Sequence, residues 1–103
     1  MQKYILKLFV TGRTPSSETA IRNLKRLCQT ELQGRYELHV IDVLASPQLA
    51  EDEHILVTPT LIKSLPPPIS RLIGDLSDTE KVLQGLRIMP QPGIDEEENA
   101  QNE

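Results

Sequence analysis

Few side chains in this 103-residue chain are of types that do chemistry: one cysteine, Cys28, two histidines, His39 and His54, and the carboxylate run Glu51-Asp52-Glu53. A lone thiol forms no intramolecular disulfide, and a reactive one needs its pKa lowered by a helix N-terminus or a nearby cation. Cys28 instead shares a helical apolar stripe with Ala20, Ile21, Leu24, Leu27 and Leu32, and reads as a small buried hydrophobe. The histidines, taken with Asp42, Asp52 or Glu53, match no ligand spacing of a metal site. The carboxylate run reads as a solvated helix face. No Gly-rich phosphate loop or nucleophile triad is present. The expectation is therefore no enzyme, no cofactor and no metal. One local oddity remains: Val57-Thr58-Pro59-Thr60-Leu61 sets a proline at the entrance to a strand.

The elements that must carry these residues follow from periodicity. Lys3 to Val10 is nearly continuous in apolar and β-forming residues, which suits a central strand covered on both faces. Gly12 breaks it, Thr14 is placed to cap a helix with Pro15 at its first position, and Gly34 closes that helix. Tyr36 to Leu44 is a second strand, so the first half is a strand-helix-strand unit with parallel strands and a right-handed crossover. Ser46-Pro47 repeats the capping logic ahead of a short surface helix over Gln48 to His54. Thr60 to Lys63 and Ile69 to Ile73 form a hairpin about Pro66-Pro67-Pro68. Ser77-Asp78-Thr79-Glu80 is a capping box before a last helix containing Val82, Leu83 and Leu86. Pro90 and Pro92 stop it, leaving a domain over 1–89 and an acidic, disordered tail over 90–103.

A chain of this length buries only a little over ~60% of its unfolded surface, so one modest core is expected. The net charge of -4 arises from the tail, and the body is close to neutral. That balance and the scarcity of aromatics (Tyr4, Phe9, Tyr36) exclude nucleic acid as the main partner. No apolar run reaches the length of a membrane span, and the start is broken by Lys7 and lacks a cleavage site, so a cytoplasmic location is expected.

The order β-α-β-α-β-β-α is the thioredoxin-like arrangement, a mixed sheet with helices on both faces. In thioredoxin-like enzymes the reactive cysteines lie between the first strand and first helix; here that position reads T-G-R-T-P-S-S-E, without a thiol. Pro59 then has a structural role: a cis bond before it turns the backbone so that the next strand pairs beside the first. A scaffold kept without its chemistry points to a binding module, with a thiol-dependent redox protein as the disfavoured alternative.

The segments F-V-T-G-R-T-P-S-S, I-D-V-L-x-x-P-Q-L-A-E, T-P-T-L, L-P-P-P and I-G-D-L-S-D-x-E-K-V-L-x-G-L resemble the KaiB family of circadian-clock proteins, over about residues 3 to 88. The resemblance implies a non-enzymatic regulator that binds the KaiC ATPase/kinase ring, sequesters KaiA so that KaiC dephosphorylates, and competes with the sensor domain of the kinase SasA. The wording favours this family over a standalone SasA-type sensor. It also implies a metamorphic chain, in which a tetrameric (or dimeric) ground state of order β-α-β-β-α-α-β exchanges with a thioredoxin-like monomer that binds KaiC. The docking residues expected from it are Leu44, Pro47, Gln48, Leu49, Ala50, Glu51 and Asp52 with the adjoining strand, Ala50 and Leu49 supplying exposed apolar contact. Pro59, Pro66, Pro67, Pro68, Gly85 and Arg87 are the candidates for fold switching.

Two features bear on that switching. Gly85 costs roughly 1 kcal/mol inside a helix, and Val82 to Met89 is apolar enough to serve as a strand. Arg87 stands where the family commonly has aspartate, and a cation near a helix C-terminus favours the thioredoxin-like arrangement. Elsewhere the chain departs from the family by losing positive charge, with Glu18 in the first helix, His39 before V-I-D-V-L, Ala45-Ser46 before Pro47, and His54 before I-L. Such losses suggest a divergent copy paired with a non-standard KaiC homologue, in stress or metabolic adaptation.

Overall fold

In the computed structural model, which describes residues 3–87, the nearly continuous apolar run becomes β1 (Tyr4–Val10), flanked on both sides. The chain returns through α1 (Pro15–Leu27) to β2 (Tyr36–Asp42), which pairs parallel to β1 with Tyr4 opposite Tyr36 and Val10 opposite Asp42. After α2 (Pro47–Asp52), β3 (Thr60–Leu65) runs antiparallel along the other side of β1, with Leu8 opposite Leu61. β4 (Ser70–Ile73) pairs antiparallel to β3, and α3 (Thr79–Gly85) follows. The sheet order β2-β1-β3-β4 and the β-α-β-α-β-β-α sequence of elements are the expected thioredoxin-like arrangement.

Alternation along β1 divides the molecule. Leu6, Leu8 and Val10 join Leu24, Leu27, Leu32, Val82 and Leu86 in the core beneath α1 and α3. Phe9 and its cross-strand neighbours point to the other face, where Phe9 and Ile62 are also buried. Residues 47–58 cross that second face, tied down by Lys7 Nζ to Glu53 Oε2 at 3.3 Å and by the Arg71 guanidinium on the carbonyls of Glu53 and His54.

Several local readings need correction. Thr14 caps α1 as expected, its hydroxyl accepting from Ser17 N at 3.3 Å. Beyond Leu27 the helix widens into a π-type turn over Cys28–Leu32, and left-handed Gln33 and Gly34 end it. Ser46 makes no side-chain cap for α2. Asp42 organises that turn instead: its carboxylate accepts from Gly12 N at 3.1 Å and Leu44 N at 2.9 Å, which ends β2 at Asp42 rather than Leu44. α2 in turn stops at Asp52, short of His54. α3 is capped by Asp78, which accepts from Lys81 N at 3.2 Å, and not by Ser77, whose amide bonds Asp75. Gly85 is the last residue of α3 rather than an interior one, so the interior helix penalty does not apply there. Its smallness has a packing reason, since a Cβ would stand 3.1 Å from Leu72 Cδ1. Residues 88 and 89, the second reading of Val82 to Met89 as a strand, and the 90–103 tail lie outside the described residues.

Lys63 occupies the core face of β3, opposite Leu6, and is 1% exposed. Burial, and then the Arg87 guanidinium, lowers its pKa. The unfolded chain therefore holds this proton more tightly, and the Lys63 contribution to stability rises with pH as the buried amine loses its charge. Lys63→Met keeps the apolar stem and removes the desolvated ammonium. We expect it to raise stability by about 1–2 kcal/mol in urea unfolding at neutral pH; an unchanged or lower midpoint would refute this.

Candidate docking surface

The end of β1 and the start of α1 form the corner where a thioredoxin-like enzyme carries its thiols. Here hydroxyls fill it: Thr11 Oγ1 lies 2.6 Å from Thr58 Oγ1, and Thr14 Oγ1 donates to Ser17 Oγ at 2.8 Å. The Thr58–Pro59 bond is cis, as expected, and Leu65–Pro66 and Pro67–Pro68 are also cis. These hydroxyls bond one another, and among the described residues no carboxylate or imidazole hydrogen-bonds any of them.

Cys28 sits at the far end of α1, about 20 Å along the helix from Thr14 at 1.5 Å per residue. It is fully buried, and burial pushes its thiol up to about 12. That placement serves packing, not thiol exchange. Because the folded state holds this proton more tightly than the unfolded state, the stability it supports is complete below pH 9 and is lost as pH rises toward 12. At pH 11 the loss amounts to roughly 2–3 kcal/mol. Cys28→Ala should abolish that alkaline slope in urea titrations; an identical slope in both proteins would refute it.

His39 Nε2 lies 2.6 Å from Glu37 Oε2 on exposed β2, and this hydrogen bond is the main cause that lowers the Glu37 pKa. Among the described residues no cluster of three or more His, Cys, Asp or Glu side chains is placed to hold a metal ion.

The expected docking residues do fall together, on the turn after β2 and on α2. Leu44 is 70% and Leu49 48% exposed, Pro47 and Glu51 are exposed, and Gln48 Nε2 bonds Asp52 Oδ1 at 2.9 Å. Ala50 departs from expectation. It is half-buried and lines a small hollow of about 210 Å³ with Val43, Ile55 and Thr58, so it shapes the surface more than it offers contact. Beside it the structure adds two residues not foreseen, Leu56 at 95% and Val57 at 47% exposed. Their signal was an apolar pair directly ahead of Thr58-Pro59, which reads equally well as the start of a buried strand. The fold-switch candidates are spread along the second half of the chain: Pro59 precedes β3, Pro66 to Pro68 make the β3–β4 connection, Gly85 ends α3 and Arg87 lies two residues past it.

This geometry defines a class first, a thioredoxin-like domain with hydroxyls at the thiol corner and an apolar surface next to it. Mitochondrial thioredoxin 3 of Saccharomyces cerevisiae in its oxidized form shares the fold at a TM-score of 0.68 and 16% identity, over 86% of this chain and 81% of that one. The N-terminal domain of Synechococcus elongatus SasA matches at a TM-score of 0.68 and 33% identity, over 92% of this chain and 91% of that one. The family model described as KaiB domain matches residues 7–88. A relative named circadian clock protein KaiB3, from a Synechocystis species, is 54% identical over 91 residues, 88% of this chain and 89% of its own length. The chain belongs to the KaiB family of circadian clock proteins.

Proposed function

We propose that this protein is a non-enzymatic clock regulator that docks on a KaiC-type ATPase ring through the turn and helix from Leu44 to Asp52, extended by Leu56 and Val57. The observation that carries the reading is the exposure of Leu44, Leu49, Leu56 and Val57 together on a thioredoxin-like scaffold that holds no thiol at its helix start. Apolar side chains clustered beside the polar residues Gln48, Glu51 and Asp52 have the make-up of a protein interface, an apolar centre with a polar rim. The likeness to the SasA domain supports competition between the two for one ring, and sequestration of KaiA would be the downstream effect. The thioredoxin-like arrangement is the binding form in this reading, exchanging with a self-associated ground state, and the setting is cytoplasmic. No helix among the described residues is long and apolar enough to cross a membrane.

The replacement of family lysines by His54 and Ala45-Ser46 around α2 favours a second version, pairing with a non-standard KaiC homologue. Mixing the protein with each KaiC homologue of its host and ATP, followed by native mass spectrometry, tests both. A ring complex with the core-clock KaiC supports the first, a complex only with a divergent homologue the second, and binding to no ring ends the proposal.

A further inference from the structure

A groove of about 750 Å³ runs between α1 and β2 on the face of the sheet away from the 47–58 segment. Its floor is apolar, from Val10, Ile21 and Val40, the last 42% exposed on β2, which stands at the edge of the sheet. Its rim carries Arg13, Arg22, Lys25 and Arg26. Among the described residues none of these four side chains makes an ion pair or a hydrogen bond. Of the two carboxylates lining the groove, that of Asp42 is already engaged by the amides of Gly12 and Leu44, which leaves Glu18.

The rest of the sequence supplies the complement. All 11 Lys and Arg residues precede residue 88, whereas the later stretch carries the chain's only four consecutive charges, Asp95 to Glu98, and no basic residue. Reach permits contact. The described chain ends at Arg87, past α3, and α3 and α1 pack into the same core. β4, beneath α3, is three strand spacings from β2, about 14 Å. Residue 95 is eight residues beyond Arg87 and can extend about 26–29 Å.

We infer that the α1–β2 groove is a binding site for an acidic segment and that Asp95 to Glu98 of the same chain occupies it. Tethering gives that segment a local concentration on the order of millimolar, so it outcompetes weak acidic ligands in solution without needing a deep site. Held by exposed ion pairs, the contact is screened by salt, with a Debye length of about 8–10 Å at physiological strength and about 3 Å at 1 M. This inference does not depend on ring binding.

The test is zero-length carbodiimide cross-linking of the full chain, with equal parts unlabelled and ¹⁵N-labelled protein, read by peptide mass spectrometry. The expected product joins Lys25 to a carboxylate of 95–98 within one chain. Its yield should fall at least about fivefold in 1 M salt and in Arg13→Glu/Arg22→Glu/Arg26→Glu, which keeps the reporting lysine. Mixed-isotope products alone would assign the groove to a second copy and overturn the inference. So would links spread evenly over Lys3, Lys25 and Lys81, or the absence of any link at Lys25. Should the charge-reversed chain fail to fold, Asp95→Asn/Glu96→Gln/Glu97→Gln/Glu98→Gln replaces it: amide NMR shifts confined to residues 13–29 and 40–42 support the site, and unmoved spectra overturn it.

Discussion

Leu49→Asp is expected to weaken capture of the protein by the KaiC-type ring proposed as its partner at least about 100-fold while leaving its own unfolding curve unchanged. Two terms combine in the complex. The lost apolar contact is worth ~1.5–3 kcal/mol if the leucine is fully covered, and an unpaired carboxylate in its place adds a few kcal/mol of desolvation. Each 1.4 kcal/mol is about tenfold in affinity. In the free protein the side chain is 48% exposed, and substitutions at such surface positions stay within about 0.5 kcal/mol. Ala50→Asp is the less clean probe, because Ala50 lines the hollow under the 55–58 segment and a carboxylate there disturbs the surface as well as the contact. Pull-down with the ring, alongside urea unfolding, reads both quantities. Full-strength capture of the Leu49 variant would move the docking face elsewhere.

Phe9→Ala should cost about 3–5 kcal/mol of stability, a large share of the ~5–15 kcal/mol a small domain possesses. The ring is the chain's only phenylalanine, fully buried on the face crossed by residues 47–58. On that face the partners are few: Thr60 and Ile41 lie opposite Phe9, and the crossing segment is anchored by Lys7 on Glu53 and Arg71 on two carbonyls. A void left there therefore loosens α2 before it loosens α1. Hydrogen exchange should show amides of Ala50 to Ile55 losing protection at denaturant concentrations where those of Leu24 to Cys28 remain protected. Simultaneous loss in both helices would show that the two faces unfold as one.

The first half of the chain was legible because its signals are local and agree with one another: an unbroken apolar run, a threonine-proline helix start, a glycine stop. Later, choices between neighbouring residues of similar chemistry went the wrong way. Ser46 and Ser77 carry the usual capping hydroxyl, yet Asp42 and Asp78 organise those turns. Which nearby polar residue points at the free amides depends on how the preceding segment arrives, and that is a tertiary fact. Leu56 and Val57 could not be told from a strand beginning inside the core, because exposure is not a property of composition. The basic side chains Arg22, Lys25 and Arg26 of α1 carried no signal of a site in the sequence. That they border a groove follows only from β2 standing at the edge of the sheet, with Val40 42% exposed.

Asp42 joins the emptied thiol corner to the docking turn. One carboxylate oxygen holds the amides of Gly12 and Leu44, and Gly12 passes beneath Leu44 with room for no more than a van der Waals contact, 3.6 Å from an added Cβ to Leu44 Cδ1. Once that strut is in place the turn of the thioredoxin-like form has little freedom left to surrender, so the proposed recognition at Leu44 and Leu49 carries a small entropic penalty at that turn.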